Sequence, residues 1–337
     1  MIADAIEQVK QNKSLSEIQM TELIDSIMKG RCKNQQVRDL LVGIHEKGET
    51  VDELVGAAKA MRKHMRLIRT TSTSIVDTCG TGGGKTGVFN ISTAAAIVAA
   101  AAGATVAKHG NRRSTSKSGS ADVLIELGVN IECTIEAAER CLNRIGICFC
   151  FAPLFHPSVK NVMSVRRSLS HPTIFNLLGP LCNPAQAQHQ VLGAGRAETR
   201  RLLADALARL DTRRSIVVHS RDGLGEISVG AATDVSEVIE GRVVDGILYP
   251  RDFGMTESDM MLIHAVDAAD SADKIRRVLH GQQGAARDLV IANAAAALWV
   301  TGISDSLPQS AERCASAIDH GQAKQVLDDL VMLTNDR

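Results

Sequence analysis

With 337 residues the chain is long enough for two domains, and its 38 basic and 38 acidic side chains cancel. Zero net charge and few aromatic residues argue against nucleic acid as a partner, because neither a positive field nor a stacking surface is available to bind it. The eight cysteines include no C-x-x-C pair, and no signal peptide or membrane-spanning apolar run is found, so we expect buried thiols in a cytoplasmic protein without a membrane segment.

The first predicted elements are helices. Through residues 1–70 the apolar side chains recur at helical spacing, with breaks at Gly30 and Gly48. Thr50 followed by Glu53 is a capping box, which predicts that the last of these helices begins at Thr50. We expect an all-helical domain over residues 1–70.

After this region the pattern changes to short apolar runs separated by loops and alanine-rich helices. Runs at 74–79 and 105–107 fit strands, and 215–219 is the clearest strand, with a β-branched centre before a polar loop. Alternation of this kind predicts an α/β domain over residues 71–337, with a mostly parallel central sheet flanked by helices. The helices predicted near the end of the chain cover 288–300, 308–318 and 322–333.

Residues 77–93 form a glycine-rich loop between a predicted strand and a predicted helix. Its backbone N–H groups and the helix N-terminus suit a phosphate. The spacing excludes a Walker A loop, since only three residues separate Gly80 from Gly84, and it excludes a dinucleotide fingerprint, which needs glycine where Lys85 stands. A flexible surface turn is the plainer alternative, although Asn90 and its neighbours offer donors and N-caps at the helix entrance.

Residues 106–120 follow the next predicted strand and carry four formal positive charges with no acid among them up to Ser120. A basic, hydroxyl-rich loop beside the glycine-rich loop predicts one crevice for a ligand with several phosphates. A solvated charged surface is the alternative. Ser120 has two open readings, as a phosphate ligand or simply as the N-cap of the helix that follows.

Two later segments each carry candidate side chains. Arg166 precedes a segment stiffened by prolines, and its guanidinium could pair with a carboxylate in two parallel hydrogen bonds, though a surface ion pair is the plainer reading. The loop after the 215–219 strand contains Asp222 and Glu226, which are placed to hold Mg²⁺ against phosphates, or are ordinary surface acids.

Taken in order, the segments GTGG, NIST, KHGNR, FNLLGPL and DGLGEIS resemble the anthranilate phosphoribosyltransferase family, and the similarity covers nearly the whole chain. The resemblance implies a small helical domain joined to a larger α/β domain, with part of 160–185 joining the helical domain in space, and a homodimer through the helical part. It implies transfer of the phosphoribosyl group of phosphoribosyl pyrophosphate to the amine of anthranilate in tryptophan biosynthesis, with Mg²⁺ as cofactor and no side chain as nucleophile or base.

The resemblance also implies roles for single residues. Those expected to bind phosphoribosyl pyrophosphate are Gly80, Gly82, Gly83, Asn90, Ser92, Thr93, Lys108, Arg112, Ser116 and Ser120. Those expected to bind anthranilate are Gly80, His109, Asn111, Arg166 and Pro180. Ser92 and Glu226 are expected to contact the metal.

Three positions depart from the family pattern. Gly84 stands where an aspartate is usual, Val88 where a hydroxyl residue is usual, and Gly225 where the first acid of an Asp-Glu pair is usual. Missing carboxylates weaken a Mg²⁺ site, because this ion prefers hard oxygen ligands. Our hypothesis is that Lys85 binds phosphoribosyl pyrophosphate and partly replaces metal charge, leaving Glu226, either alone or together with Asp222, to hold a weaker second Mg²⁺.

Other functions stay open at this point. A homologue with a different acceptor, or one that only binds its ligand, would explain the missing acids. A nucleoside phosphorylase of the related fold would bind phosphate and a base in a similar crevice, although its motifs match less well.

Overall fold

The computed structural model describes residues 2–82, 87–112 and 119–336, without the side chain of Leu262. Its N-terminal part is helical, as predicted, and the third helix ends at Lys47, directly before Gly48. The capping box is confirmed, since the Thr50 hydroxyl accepts from the Glu53 N–H and the Glu53 carboxylate accepts from the Thr50 N–H. The helices are α1 (Ile2–Lys10), α2 (Glu17–Met28), α3 (Asn34–Lys47) and α4 (Val51–His64).

Glu53 also joins these helices to one another. Its side chain is fully buried and accepts hydrogen bonds from the backbone N–H of Leu15 at 2.9 Å and from the Lys47 ammonium at 3.0 Å. A buried carboxylate needs partners of this kind, because an unpaired one would be costly. One acid therefore caps α4 and fixes both the α1–α2 loop and the end of α3.

Within the described residues, seven strands form one sheet in the order β3-β2-β1-β4-β5-β6-β7. The first five in sequence pair in parallel, and β6 and β7 add an antiparallel hairpin. The fold class predicted from the sequence is confirmed. The strands are β1 (Ile75–Gly80), β2 (Thr105–Gly110), β3 (Ile147–Phe151), β4 (His189–Gly193), β5 (Arg214–Ser220), β6 (Thr233–Ile239) and β7 (Arg242–Leu248).

Helices follow and connect the strands, and the three predicted near the end of the chain are present as α13, α14 and α15. The helices after α4 are α5 (Ile91–Ala101), α6 (Ser120–Glu126), α7 (Ile135–Ile145), α8 (Ala152–Phe155), α9 (Lys160–Ser168), α10 (Phe175–Leu178), α11 (Ala197–Ala208), α12 (Ala268–Leu279), α13 (Ala285–Thr301), α14 (Leu307–Asp319) and α15 (Gln322–Asn335).

The strand order creates a switch point between β1 and β4. From β1 the chain adds β2 and then β3 on one side, and it later returns to add β4 and β5 on the other side. The loops after β1 and β4 therefore leave the sheet in opposite directions and open a crevice at the carboxyl ends of the strands. Ligands of open α/β sheets bind at such points.

Helices α9 and α10 share a core with α2, α3 and α4. Val162, Val165 and Leu178 are buried in it, and the Asn161 amide donates to the Met28 carbonyl at 2.7 Å. The same core extends to buried residues of β4, β5 and α11. Because this core runs from the first helices into the sheet, the division of the chain at residue 70 stays a prediction.

Candidate active site

The switch point contains a cavity lined by residues from several elements. Thr78 and Cys79 of β1, Gly193 of β4, Ser92 in the first turn of α5 and Glu226 in the loop after β5 all border it. Two segments predicted to bind one ligand, the glycine-rich loop with its helix and the loop of Glu226, thus meet at one place. Parallel strands that end at the same edge of the sheet bring them together.

The position of Glu226 depends on a close backbone contact between Gly193 and Gly225. A Cβ atom on Gly193 would lie 1.8 Å from the Gly225 carbonyl oxygen, so only glycine at position 193 allows the loop after β5 to lie directly on the end of β4. A Cβ atom on Gly225 would in turn approach the Ala194 carbonyl oxygen to 3.3 Å. An acid at 225 would need a small shift of this backbone.

Lys108 is a buried cation in the crevice. Its ammonium donates to the Thr78 carbonyl and, at 3.2 Å, to the Ser92 hydroxyl, which ties β2 to β1 and to the start of α5. Burial lowers the pKa of Lys108, and the nearby acids Asp77 and Glu226 oppose that shift. The structure therefore brings together the predicted residues Lys108 and Ser92.

The remaining residues of the glycine-rich loop are placed as follows. Gly82 has φ +67°, with open space where a side chain would stand. Asn90 occupies the N-cap position of α5, but its side chain makes no cap bond to the backbone, so the predicted capping role is wrong. Instead the side-chain amide oxygen Oδ1 of Asn90 accepts from the hydroxyl of Thr93, which is buried. Gly83, Gly84, Lys85 and Ser116 lie outside the described residues.

The basic segment divides between the crevice and the surface. Arg112 is paired with Glu132 at 3.0 Å, and both side chains are more than half exposed. Asn111 accepts from the Arg112 backbone N–H. Ser120 is the first residue of α6 and follows the N-cap Gly119, so the N-cap reading of Ser120 is wrong. Its hydroxyl lies 3.5 Å from the Asn111 carbonyl oxygen.

Two neutral imidazoles lie beside the crevice. His109 Nδ1 lies 2.9 Å from the Gly179 carbonyl oxygen, so Nδ1 carries the proton and Nε2 is an acceptor. The ring of His156 is 5.0 Å away, and Nε2 of both rings is buried without a partner among the described residues. Burial lowers the pKa of His109 to about 3 and that of His156 to about 4. Both rings are therefore neutral near pH 7 and can accept N–H groups.

Arg166, on α9, is a half-buried cation. It lies 5.4 Å above the Phe175 ring, and its Nη1 is 3.8 Å from the Met163 sulfur. Burial lowers its pKa. Where the structure describes the chain, no acidic side chain pairs with Arg166, so the surface ion pair considered from the sequence is not found. A half-buried guanidinium without an acidic partner is able to bind an anionic ligand.

Pro180 is held by a residue that the sequence analysis missed. It lies in a 3₁₀ turn (Gly179–Leu181), and its carbonyl oxygen accepts from the buried Gln190 amide at 2.6 Å. The same amide nitrogen donates to the Cys79 sulfur at 3.0 Å. Gln190 thus ties the Pro180 turn to β1, the strand that leads into the glycine-rich loop.

Asp77 is a second missed residue. It is fully buried at β1 and accepts from the His109 backbone N–H at 3.1 Å and from the Asn183 amide at 2.8 Å. Burial raises its pKa to about 6, against the effect of its donors.

His156 is a third missed residue. A polar residue in the middle of the apolar β1 run and a histidine just after β3 were the signals that could have found them.

The possible Mg²⁺ ligands are hard oxygen donors that border one cavity. No hydrogen bond reaches the Glu226 carboxylate from the described residues, and burial raises its pKa to about 7. Asp222 is used otherwise, since its oxygens accept from the Leu224 N–H and the Ser228 hydroxyl. Across the described ranges no three His, Cys, Asp or Glu side chains form a metal site. Ser92 and Glu226 nevertheless fit an ion that takes most of its ligands from substrate and water.

Comparison with known proteins shows first which class of protein the chain belongs to. The model of the helical bundle domain of the glycosyl transferase family matches residues 3–65, and the model of the a/b domain of that family matches residues 72–324. Curated anthranilate phosphoribosyltransferases are similar over almost the full length. The protein from Rhodopirellula baltica is 49% identical, over 97% of this chain and 96% of its own. The protein from Thioalkalivibrio sulfidiphilus is 47% identical, over 98% of each chain.

Solved structures agree. The crystal structure of anthranilate phosphoribosyltransferase from Thermus thermophilus has 34% identity and a TM-score of 0.92, covering 99% of this chain and 100% of that chain. The Saccharomyces cerevisiae enzyme in complex with PRPP and Mg shares the fold, with 24% identity and a TM-score of 0.89 over 99% and 97% of the two chains. The chain belongs to the anthranilate phosphoribosyltransferase family.

The family resemblance seen in the sequence is thus confirmed, while the roles of single residues stay predictions. None of the described helices combines the length and the apolar character needed to cross a bilayer.

Proposed function

We propose that this chain transfers the phosphoribosyl group of phosphoribosyl pyrophosphate to the amine of anthranilate, releasing pyrophosphate, as a step of tryptophan biosynthesis. The observation that carries the proposal is a crevice of glycines, a helix N-terminus and buried Lys108 that suits phosphates. The neutral imidazole of His109 follows Lys108 directly on β2, and Arg166 on α9 is half-buried without an acidic partner among the described residues. The names of the relatives support the same reaction.

On the acceptor side, Arg166 binds the anthranilate carboxylate through two parallel hydrogen bonds. His109 Nε2 accepts an N–H of the amine, because its other nitrogen already donates to Gly179. Asn111 and Pro180 complete the pocket. These residues orient the amine toward the ribose, and orientation alone can supply a large part of the rate. The amine is neutral at pH 7, so no strong base is needed.

On the phosphoribosyl side, backbone N–H groups and short polar side chains bind the phosphates. Loss of pyrophosphate builds positive charge on the ribose C1 and negative charge on the leaving group, so preorganised donors stabilise the transition state. Lys108 contributes a fixed positive charge behind them. The residues proposed to bind phosphoribosyl pyrophosphate are Gly80, Gly82, Gly83, Lys85, Asn90, Ser92, Thr93, Lys108, Arg112, Ser116 and Ser120.

Mg²⁺ is the proposed cofactor, and it would neutralise charge on the departing pyrophosphate. Ser92 and Glu226 would hold it, and the yeast structure with the same fold contains PRPP and Mg. Asp222 is a poor second ligand because both of its oxygens are engaged in its own loop. In the family, acids at the positions of Gly84 and Gly225 usually help to bind the metal. In this chain, the positive charge of Lys85 would replace part of the missing metal charge.

The organisation of the protein completes the proposal. A helical domain over residues 1–70, joined in space by part of 160–185, would mediate a homodimer, and the α/β domain over 71–337 would bind phosphoribosyl pyrophosphate. The core that α9 and α10 share with α2, α3 and α4 supports the proposal that part of 160–185 joins the helical domain in space. We place the protein in the cytoplasm, with small-molecule substrates and neither nucleic acid nor membrane as partner.

A fluorescence assay tests the function. Anthranilate fluorescence is followed after addition of phosphoribosyl pyrophosphate across a Mg²⁺ titration, and a saturable loss that requires both is expected. Incubation with nucleosides and phosphate, followed for free base, separates the nucleoside phosphorylase. Binding of phosphoribosyl pyrophosphate without any loss of anthranilate would instead identify a homologue with another acceptor or none.

A further inference from the structure

A segment far along the chain is bonded to the end of the glycine-rich loop. We call residues 261–267 the strap. The Phe89 N–H donates to the Ile263 carbonyl oxygen at 2.9 Å, and the Ala265 N–H donates to the Gly87 carbonyl oxygen at 2.9 Å. Val88 and His264, between these pairs, form an antiparallel bridge. The strap thus pairs with residues 87–89 as a short strand would.

Ser271 continues this contact to the start of α5. Its side chain is fully buried, and its hydroxyl accepts from the backbone N–H of Asn90 at 2.8 Å. The N–H of Asn90 belongs to the N-cap residue of α5, and such groups have no partner inside their own helix. Ser271 therefore fixes the backbone of a residue whose side chain is proposed to bind phosphate.

The helix that carries Ser271 is a rigid support. Asp267 caps α12 by accepting from the Asp270 N–H at 2.8 Å, and the Ser271 N–H donates to the Asp267 carbonyl oxygen at 3.1 Å. Ile275 and Val278 of the same helix are buried in the main core. A hydroxyl on such a support can hold its partner at a defined position.

The other end of the glycine-rich loop is fixed in a comparable way. The Thr81 N–H donates to the Gly193 carbonyl oxygen at 2.9 Å, and the Thr81 hydroxyl accepts from the Gly195 N–H at 2.9 Å. Both ends of the loop are therefore bonded to other parts of the chain, at β4 on one side and at the strap and α12 on the other. At the Asn90 end, the backbone N–H depends on the Ser271 hydroxyl.

We propose that Ser271 is a positioning residue for phosphoribosyl pyrophosphate: through the Asn90 backbone it sets the first turn of α5, and with the strap it orients the end of the glycine-rich loop. The proposal rests on the proposed function and adds to it a residue that touches no substrate. If Ser271 acts in this way, its loss will weaken the phosphoribosyl side of the site and leave the acceptor side unchanged.

Three variants test the role. Ser271→Ala removes the acceptor, and Ser271→Cys keeps nearly the same volume but has a weak acceptor. Ser310→Ala is the matched control, since Ser310 is also fully buried and its hydroxyl bonds within α14 and its cap, to the Ser306 carbonyl oxygen at 2.9 Å. For both Ser271 variants we expect the KM for phosphoribosyl pyrophosphate to rise about 5- to 30-fold, as befits a lost buried hydrogen bond. The KM for anthranilate should change less than about 2-fold, and Ser310→Ala should change neither.

Hydrogen exchange gives a second readout that needs no substrate. Exchange of the Asn90 amide should become at least about 10-fold faster in both Ser271 variants, because its acceptor is lost or weakened. The positioning role is overturned if the two KM values rise together, if Ser271→Cys behaves like wild type, or if the Asn90 amide exchanges as slowly as before. If the wild type transfers no phosphoribosyl group, the proposed function fails, and the exchange measurement still decides whether the Ser271 hydroxyl holds the Asn90 backbone.

Discussion

The proposed phosphoribosyl-binding half of the site and the proposed acceptor-binding half are formed by different kinds of chemical groups. The phosphoribosyl half consists of backbone groups and short side chains at strand ends and at the start of α5, with Lys108 behind them. The proposed acceptor half consists of longer side chains, such as His109 and Arg166, and burial lowers the pKa of both. All three departures from the family pattern, at positions 84, 88 and 225, fall in segments that we propose to bind phosphoribosyl pyrophosphate or its metal. We therefore expect the acceptor chemistry to be kept and the handling of metal and diphosphate to differ from the family pattern.

The largest effect is expected from Arg166→Ala, which attacks the acceptor half alone. Loss of a charge-assisted pair with the anthranilate carboxylate, worth about 3 kcal/mol, should lower kcat/KM for anthranilate about 100-fold. The KM for phosphoribosyl pyrophosphate should change less than about 3-fold. Steady-state kinetics with each substrate varied in turn measure both values.

Arg167→Ala is the control for this variant, because the neighbouring arginine is exposed on the same helix. It should leave both constants within about 2-fold of wild type. Equal losses for the two arginines, or a rise confined to phosphoribosyl pyrophosphate, would contradict the division of the site into two halves.

Much of the fold could be predicted because its signals are local. The capping box at Thr50, the β-branched run of β5 and the helices near the end of the chain each depend on a few neighbouring residues. The β6–β7 hairpin was missed, although Glu240 and Gly241, both at positive φ, form the tight turn between these strands. The prediction that the Asn90 side chain caps α5 was wrong because its oxygen accepts a hydrogen bond from the Thr93 hydroxyl instead. The sequence does not reveal this competition.

The site was predictable to the extent that its residues follow one another in sequence. Lys108 and Ser92 lie in recognisable motifs. His156, Gln190 and Ser271 have no such motif, because each matters through a partner distant in sequence, and only the folded chain shows those contacts. Buried polar residues inside apolar stretches are the general signal that would have pointed to them.

A smaller effect, on stability, tests whether the acceptor half really holds neutral imidazoles. The pKa of His156 is lowered from 6.5 to about 4, so the folded state disfavours the protonated ring. The contribution of His156 is fully present above about pH 6.5 and is lost as the pH falls toward 4. Between pH 6.5 and 4.5 this one ring should lower the free energy of unfolding by about 2 to 3 kcal/mol.

Urea unfolding of His156→Gln at several pH values measures this contribution. The variant should lose less stability than wild type over that pH range. His320→Gln, at an exposed position, should follow wild type. Parallel curves for wild type and His156→Gln would mean that the His156 ring is solvated, and that the acceptor half is more open than the structure indicates.

The smallest effect concerns the metal, and it sharpens the contrast between the halves. Glu226→Gln removes the one carboxylate in the described part of the chain that borders the cavity, so the Mg²⁺ concentration for half-maximal rate should rise about 10-fold, with the rate at saturating Mg²⁺ little changed. Asp222→Asn is the control and should shift that concentration less than about 3-fold, because both Asp222 oxygens are already bonded within its loop. An unchanged Mg²⁺ dependence in Glu226→Gln would mean that the diphosphate and the Ser92 hydroxyl hold the metal without any carboxylate. The phosphoribosyl half would then take its metal from the substrate, and Lys85 would become the residue to test next.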